Sequence, residues 1–148
     1  MSSGAHQALM SAYTRQNSVK TLVERAGVTD LIHPEMLDYI SKNNLAGLID
    51  LMSGSEENWK IGDAHPPLYE EFSPAGHIKN IPILILHGDA DDVVPVHQAY
   101  SLENKLKEKN YPYEIKIVPN AGHDFEENEN TKEFVFKSAA DWFLKYGK

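Results

Sequence analysis

Three residue types that together make an acyl-transfer catalyst stand far apart in this chain of 148 residues: Ser2, Asp91 and His123. A serine hydroxyl is a poor nucleophile until an imidazole takes its proton, and the imidazole in turn needs a carboxylate to hold its tautomer and stabilise its cation. Each residue also has a plainer reading. Ser2 suits the N-cap of a helix; Asp91, with Asp89 and Asp92 close by, suits an acid solvating a turn; and His123 suits an exposed loop histidine. His6 and His87 read as structural, and His33, His65, His77 and His97 lack the short ligand spacings of a metal site. Neither a metal nor any other cofactor is expected.

The elements around these residues decide whether they can meet. From Ser3 onward, Ala5, Ala8, Leu9, Ala12 and Tyr13 repeat at the spacing of one helical face. Val19 to Ala26 reads as a strand closed by Gly27. Pro34 to Lys42 and Leu45 to Met52 read as short helices, and Ser53 to Phe72 as surface loop and short helix. Ile81 to Leu86 is the continuous apolar run of a strand covered on both faces. Val96 to Lys109 then predicts a helix carrying Ala99, Leu102 and Leu106 on one side, and Tyr113 to Val118 another strand. Thr131 to Tyr146 predicts an amphipathic helix capped by Thr131 and Gly147, its aromatic stripe packed in the core.

Strands alternating with helices impose a parallel sheet with helices on its faces. The expected fold class is α/β: one domain over 1–148, about three parallel strands flanked by helices, with a helical, cap-like excursion over 27–72. Ligands of open α/β sheets bind beyond the carboxyl ends of the strands, and Ser2, Asp91 and His123 all fall on that edge.

Three segments resemble the α/β-hydrolase superfamily. Ser2-Ser3-Gly4-Ala5-His6-Gln7-Ala8-Leu9 looks like the second half of a Gly-x-Ser-x-Gly nucleophile elbow, with Met1 before the serine and the leading glycine absent. Ser73-Pro74 with Ile81 to Gly88 and Asp91 to Pro95 resembles the acid loop of esterases and prolyl oligopeptidase-like enzymes, in which His-Gly ends the strand and Asp precedes Val-Pro. Val118-Pro119-Asn120-Ala121-Gly122-His123-Asp124-Phe125 resembles their histidine loop. The order Ser, Asp, His is also that of the superfamily. The resemblance implies a partial α/β-hydrolase fold, the C-terminal portion of a serine esterase or related acyl hydrolase. Ser2 would be the nucleophile, Asp91 the acid, His123 the base and the Ser3 N–H an oxyanion donor. The rival within the superfamily is a prolyl oligopeptidase-like peptidase. In that group an Arg often follows the acid by two positions, where this chain has Val93. A rival of another class is a non-catalytic remnant or interaction module.

The resemblance carries two further expectations. The complete fold has strands before the nucleophile and a second oxyanion donor with no counterpart in these residues, so the chain by itself is expected to be a weak or inactive catalyst. The Val19 to Ala26 strand would become an open sheet edge, and two copies are expected to pair across it as a homodimer.

The partner that the resemblance implies is a small-molecule ester substrate, and composition speaks against others. A net charge of -8 speaks against nucleic acid, which needs clustered Lys and Arg. No run has the length and apolarity to span a bilayer. The absence of Cys excludes disulfides and thiolate chemistry. It fits a cytosolic and an exported enzyme alike.

Overall fold

The computed structural model describes residues 3–15, 18–54, 59–60, 62–125 and 129–148. Among them, three strands form one parallel sheet in the order β1 (Leu22–Arg25), β2 (Ile83–Gly88), β3 (Tyr113–Val118). The register sets Leu22 against Ile83 and Ile83 against Tyr113, so β2 is central and β1 lies at an edge. Parallel pairing needs long crossovers. They are supplied by α2 (Pro34–Lys42), α3 (Ala46–Ser53) and α4 (Pro67–Glu71) between β1 and β2, and by α5 (His97–Glu108) between β2 and β3. Helices α1 (Ser3–Thr14) and α6 (Glu129–Tyr146) open and close the fold.

Every residue of β2 is buried, as its unbroken apolar run requires. Alternation sends Ile83 and Ile85 to one face, where they pack with Leu9 and Tyr13 of α1 and with Ala99, Leu102 and Leu106 of α5. Leu84 and Leu86 go to the other face, against Val135 and Trp142 of α6 together with Val118, Ala121 and Phe125. The excursion after β1 has a core of its own, built on Met36, Ile40, Ile49, Trp59 and Tyr69. Val94, from the loop after β2, inserts into that core.

Several expectations need correction. β1 is shorter than Val19 to Ala26: its pairing with β2 begins at the Leu22 N–H bond to the Pro82 carbonyl, and Ala26, at φ 50°, turns the chain out of the strand. β2 starts after Pro82, which has no N–H to give to a ladder, and runs through His87 and Gly88. On α1 the buried stripe is His6, Leu9, Ala12 and Tyr13, with Ala8 exposed. The stretch from Ser53 to Phe72 is not merely surface, because Trp59 and Tyr69 are buried in the excursion's core.

On α6, Thr131 is not the cap, since the helix begins at Glu129. Nor is its aromatic stripe all core. The buried face is Val135, Ser138 and Trp142, while Phe134 and Phe143 are 45% and 49% exposed.

Candidate active site

β2 ends in a tight turn that places Asp91 beneath its carboxyl end. The carboxylate folds back on its own loop: Oδ1 accepts the N–H groups of Val93 and Val94 at 2.9 and 2.8 Å. This Asx-type closure fixes the side chain locally, before any partner is considered. Oδ2 faces two imidazoles. His123 Nδ1 donates to it at 2.8 Å, and His87 Nε2 lies 3.3 Å away while donating to the Val94 carbonyl at 2.9 Å.

The Asp91 side chain is fully buried, whereas that of His123 is 17% exposed. Burial by itself would raise the Asp91 pKa. The bonds from His87, Val94, His123 and Val93 outweigh it and hold the carboxyl at about 2. The acid is therefore ionised across the physiological range. Its charge also raises the Tyr39 phenol, after the larger effect of burial.

His123 is positioned by its own loop. The Asp89 N–H bonds the Val118 carbonyl, the Ala90 N–H bonds the Ala121 carbonyl at 3.0 Å, and the Asn120 N–H bonds Asp89 Oδ1 at 2.6 Å. Asn120 takes a left-handed φ of 57°, a conformation asparagine tolerates. Two residues beyond the histidine, Phe125 is 1% exposed in the core beneath α6, and that burial anchors the far end of the loop.

These contacts separate the three neighbouring acids. Asp89 stitches the two loops together, Asp92 is exposed, and Asp91 meets His123.

The third expected residue, Ser2, lies outside the described residues. The backbone of Ser3, the expected oxyanion donor, opens α1. The start of that helix is held at the carboxyl end of β1: Ala5 packs against Gly27, and His6 Nδ1 donates to the Val28 carbonyl at 3.1 Å. It is the same edge on which Asp91 and His123 sit. Positive charge at a helix N-terminus favours an anion there.

Two contributors escaped sequence reasoning. His87, read as structural, touches the acid directly; its signal was the His-Gly pair at the strand end. Tyr39 of α2 donates to the carbonyls of Asp92 and Val93 at 2.9 and 3.0 Å, tying the excursion to the acid loop. Nothing in its local pattern marks it. No cluster of three or more His, Cys, Asp or Glu able to hold a metal occurs among the described residues.

The profile of the prolyl oligopeptidase family matches residues 1–148. An uncharacterized peptidase, YtmA, of Bacillus subtilis (strain 168) is 25% identical over 143 residues, covering 95% of this chain and 51% of its own length. This chain thus spans about half the length of that curated relative. Among solved structures, an acylaminoacyl peptidase bound to a Gly-Gly-Phe chloromethyl ketone superposes with a TM-score of 0.73 at 17% identity, over 97% of this chain and 22% of that one. A thermophilic esterase of Thermogutta terrifontis with butyrate bound superposes with a TM-score of 0.58 at 18% identity, over 83% of this chain and 42% of that one. At such identities the likeness establishes the fold, a partial α/β-hydrolase sheet of three parallel strands flanked by helices. With the family profile matched along its whole length, the chain belongs to the prolyl oligopeptidase family.

Proposed function

We propose that the chain supplies the catalytic residues of a serine hydrolase and that its preferred substrates are carboxylic esters, cleaved through an acyl-serine intermediate. The observation that carries this reading is the buried Asp91 carboxylate bonded at 2.8 Å to the partly exposed His123, on the edge where α1 begins. In this reading His123 Nε2 takes the Ser2 proton as Oγ bonds to the acyl carbon, and returns it to the leaving alkoxide as the tetrahedral intermediate collapses. Water repeats the sequence and frees the acid. The Ser3 N–H meets the developing oxyanion, and Asp91 holds the imidazolium. The excursion over 27–72 acts as a cap that shapes the acyl site.

Family membership and the acylaminoacyl peptidase likeness favour a second reading, a peptidase. Val93 supports the ester reading, because it stands where the peptidase acid loop often has an Arg.

The test has two stages. A fluorophosphonate probe should label Ser2, slowly because this chain by itself is expected to be a weak catalyst, with labelling abolished in Ser2→Ala and His123→Ala; equal labelling of Ser2→Ala overturns the catalytic reading. Paired p-nitrophenyl esters and p-nitroanilides of the same acyl groups then separate the substrates. A higher kcat/KM on an aminoacyl or peptidyl anilide than on its ester replaces the esterase by the peptidase.

A further inference from the structure

Behind the acid lies a second pair of ionisable groups. Glu24 of β1 is opposite Ile85 in the register, and alternation puts Leu22, Glu24, Ile85 and His87 on one face of the sheet. Glu24 is 2% exposed and His87 is fully buried. The Gly27 N–H donates to Glu24 Oε1. Glu24 Oε2 and His87 Nδ1, both buried, have no hydrogen-bond partner among the described residues. A buried acid and a buried base left so are costly unless each offsets the other.

We propose that Glu24 and His87, neighbours on one face of the sheet but not bonded to one another, form a positioning pair that takes up a single proton as a coupled unit and holds the Asp91 carboxylate toward His123, an inference that rests on the reading of Asp91 and His123 as acid and base. The proton count follows from the bonds. The Val94 carbonyl only accepts, so His87 Nε2 carries a hydrogen in every state and presents it to Asp91 Oδ2 as well. The proton that comes and goes is then on His87 Nδ1 or on Glu24. Imidazolium with carboxylate, and imidazole with carboxylic acid, have the same total charge, and the pair titrates as a unit. Losing that proton leaves Glu24 and Asp91 both bare in one dry region.

Burial pushes Glu24 up to about 7, further than the His87 charge and the Gly27 bond pull it down. Burial lowers His87, but its bonds to Asp91 and Val94 and the Glu24 charge more than reverse that and raise it. The other groups facing the pair are Tyr13 of α1, raised by burial and then by Glu24, and His97 at the start of α5, lowered mainly by burial. Opposite His87 on β3 stands Ile117, which carries no charge.

The pair also joins three segments. His87 closes the acid loop by spanning Val94 and Asp91. Glu24 ties the β1 side to Gly27, where a Cβ would lie 2.6 Å from Oε1 and 2.8 Å from Ala5 of α1. The chain tolerates that approach because position 27 has no side chain.

The test is nitrogen-resolved NMR of the His87 and His123 rings in the full chain, from about pH 5 to about pH 9, a span that covers histidine titration. In the wild type, the His87 ring signals change within this range as the pair takes up its proton, and the His123 Nδ1 hydrogen shifts in step. In Glu24→Gln the His87 transition moves down by about one pH unit or more, as expected on losing an adjacent carboxylate. His87 and His123 signals that do not change with pH in the wild type, or an unchanged transition and His123 signal in Glu24→Gln, overturn the pair. Should the variant fail to fold, the wild-type titration alone decides. Fluorophosphonate labelling of Ser2 is scored separately: a wild type that never labels refutes the catalytic reading, while the coupled pair still stands or falls with the NMR titration.

Discussion

A methyl group placed on Gly88 would lie 2.0 Å from the Ala121 carbonyl oxygen, so the end of β2 and the histidine loop meet backbone to backbone. That approach brings Asp91 and His123 within bonding distance from opposite loops. Gly88→Ala forces one backbone away from the other, an overpacking that costs about 1–3 kcal/mol. Urea unfolding should report a lower midpoint at unchanged slope, and the His123 Nδ1 hydrogen should lose the downfield position of a carboxylate-bonded imidazole. An alanine variant with wild-type stability and an unshifted signal would show that the loops part freely.

Asp91→Asn keeps the size of the side chain and its bonds from Val93 and Val94, but turns an acceptor for two imidazole N–H groups into a neutral amide. The amide stabilises the wrong His123 tautomer, an effect that in serine hydrolases costs about 10⁴ in turnover. Labelling of Ser2 by a fluorophosphonate should fall by about that factor while the circular dichroism of the chain is retained. Labelling within about tenfold of wild type would remove Asp91 from the catalytic role, since an orienting carboxylate is worth more.

What was legible in the sequence followed from strong local signals. The IPILIL run could be little else than a strand covered on both faces, and the helix that carries Ala99, Leu102 and Leu106 presents all three to the core. The candidate acid and base were legible because turn chemistry places loop residues close to where the strands end. The choice of Asp91 over Asp89 and Asp92 came from the acid-loop resemblance, not from turn chemistry; in the structure it rests on which carboxylate receives the Val93 and Val94 N–H groups, a matter of one or two backbone angles. Glu24 was hidden for another reason. A four-residue strand offers too few alternations to show that its glutamate points inward, and its partner His87 is distant in sequence. On α6, Phe134 and Val135 are adjacent, and periodicity alone does not decide which belongs to the buried face. The sheet takes Val135, Ser138 and Trp142.

The Tyr39 hydroxyl, shared by the carbonyls of Asp92 and Val93, is the polar tie between the excursion and the acid loop. Tyr39→Phe removes it without opening a cavity, at a cost of about 0.5–1.5 kcal/mol. Because Val93 also gives its N–H to Asp91, the loss should loosen the acid, and Ser2 labelling should slow several-fold with the unfolding slope unchanged. Hydrogen exchange offers the direct check. The Val93 and Val94 amides should exchange faster in Tyr39→Phe than in the wild type, and equal protection would show that the Asp91 turn stands without the excursion.

Acid titration of stability isolates the Asp91 contribution. The folded-state pKa of about 2 lies below the ordinary value of 3.8, so the unfolded chain binds a proton to this group first as the pH falls. The stability it contributes is therefore present above about pH 4 and is lost as the pH drops through about 2. Chemical unfolding of wild type and Asp91→Asn across that range should give two curves that run apart near pH 5 and converge toward pH 2, because the asparagine has no proton to gain. Parallel curves would mean that the buried carboxylate is no better stabilised in the fold than in the open chain, and that the bonds from His87, His123, Val93 and Val94 do no more than offset its burial.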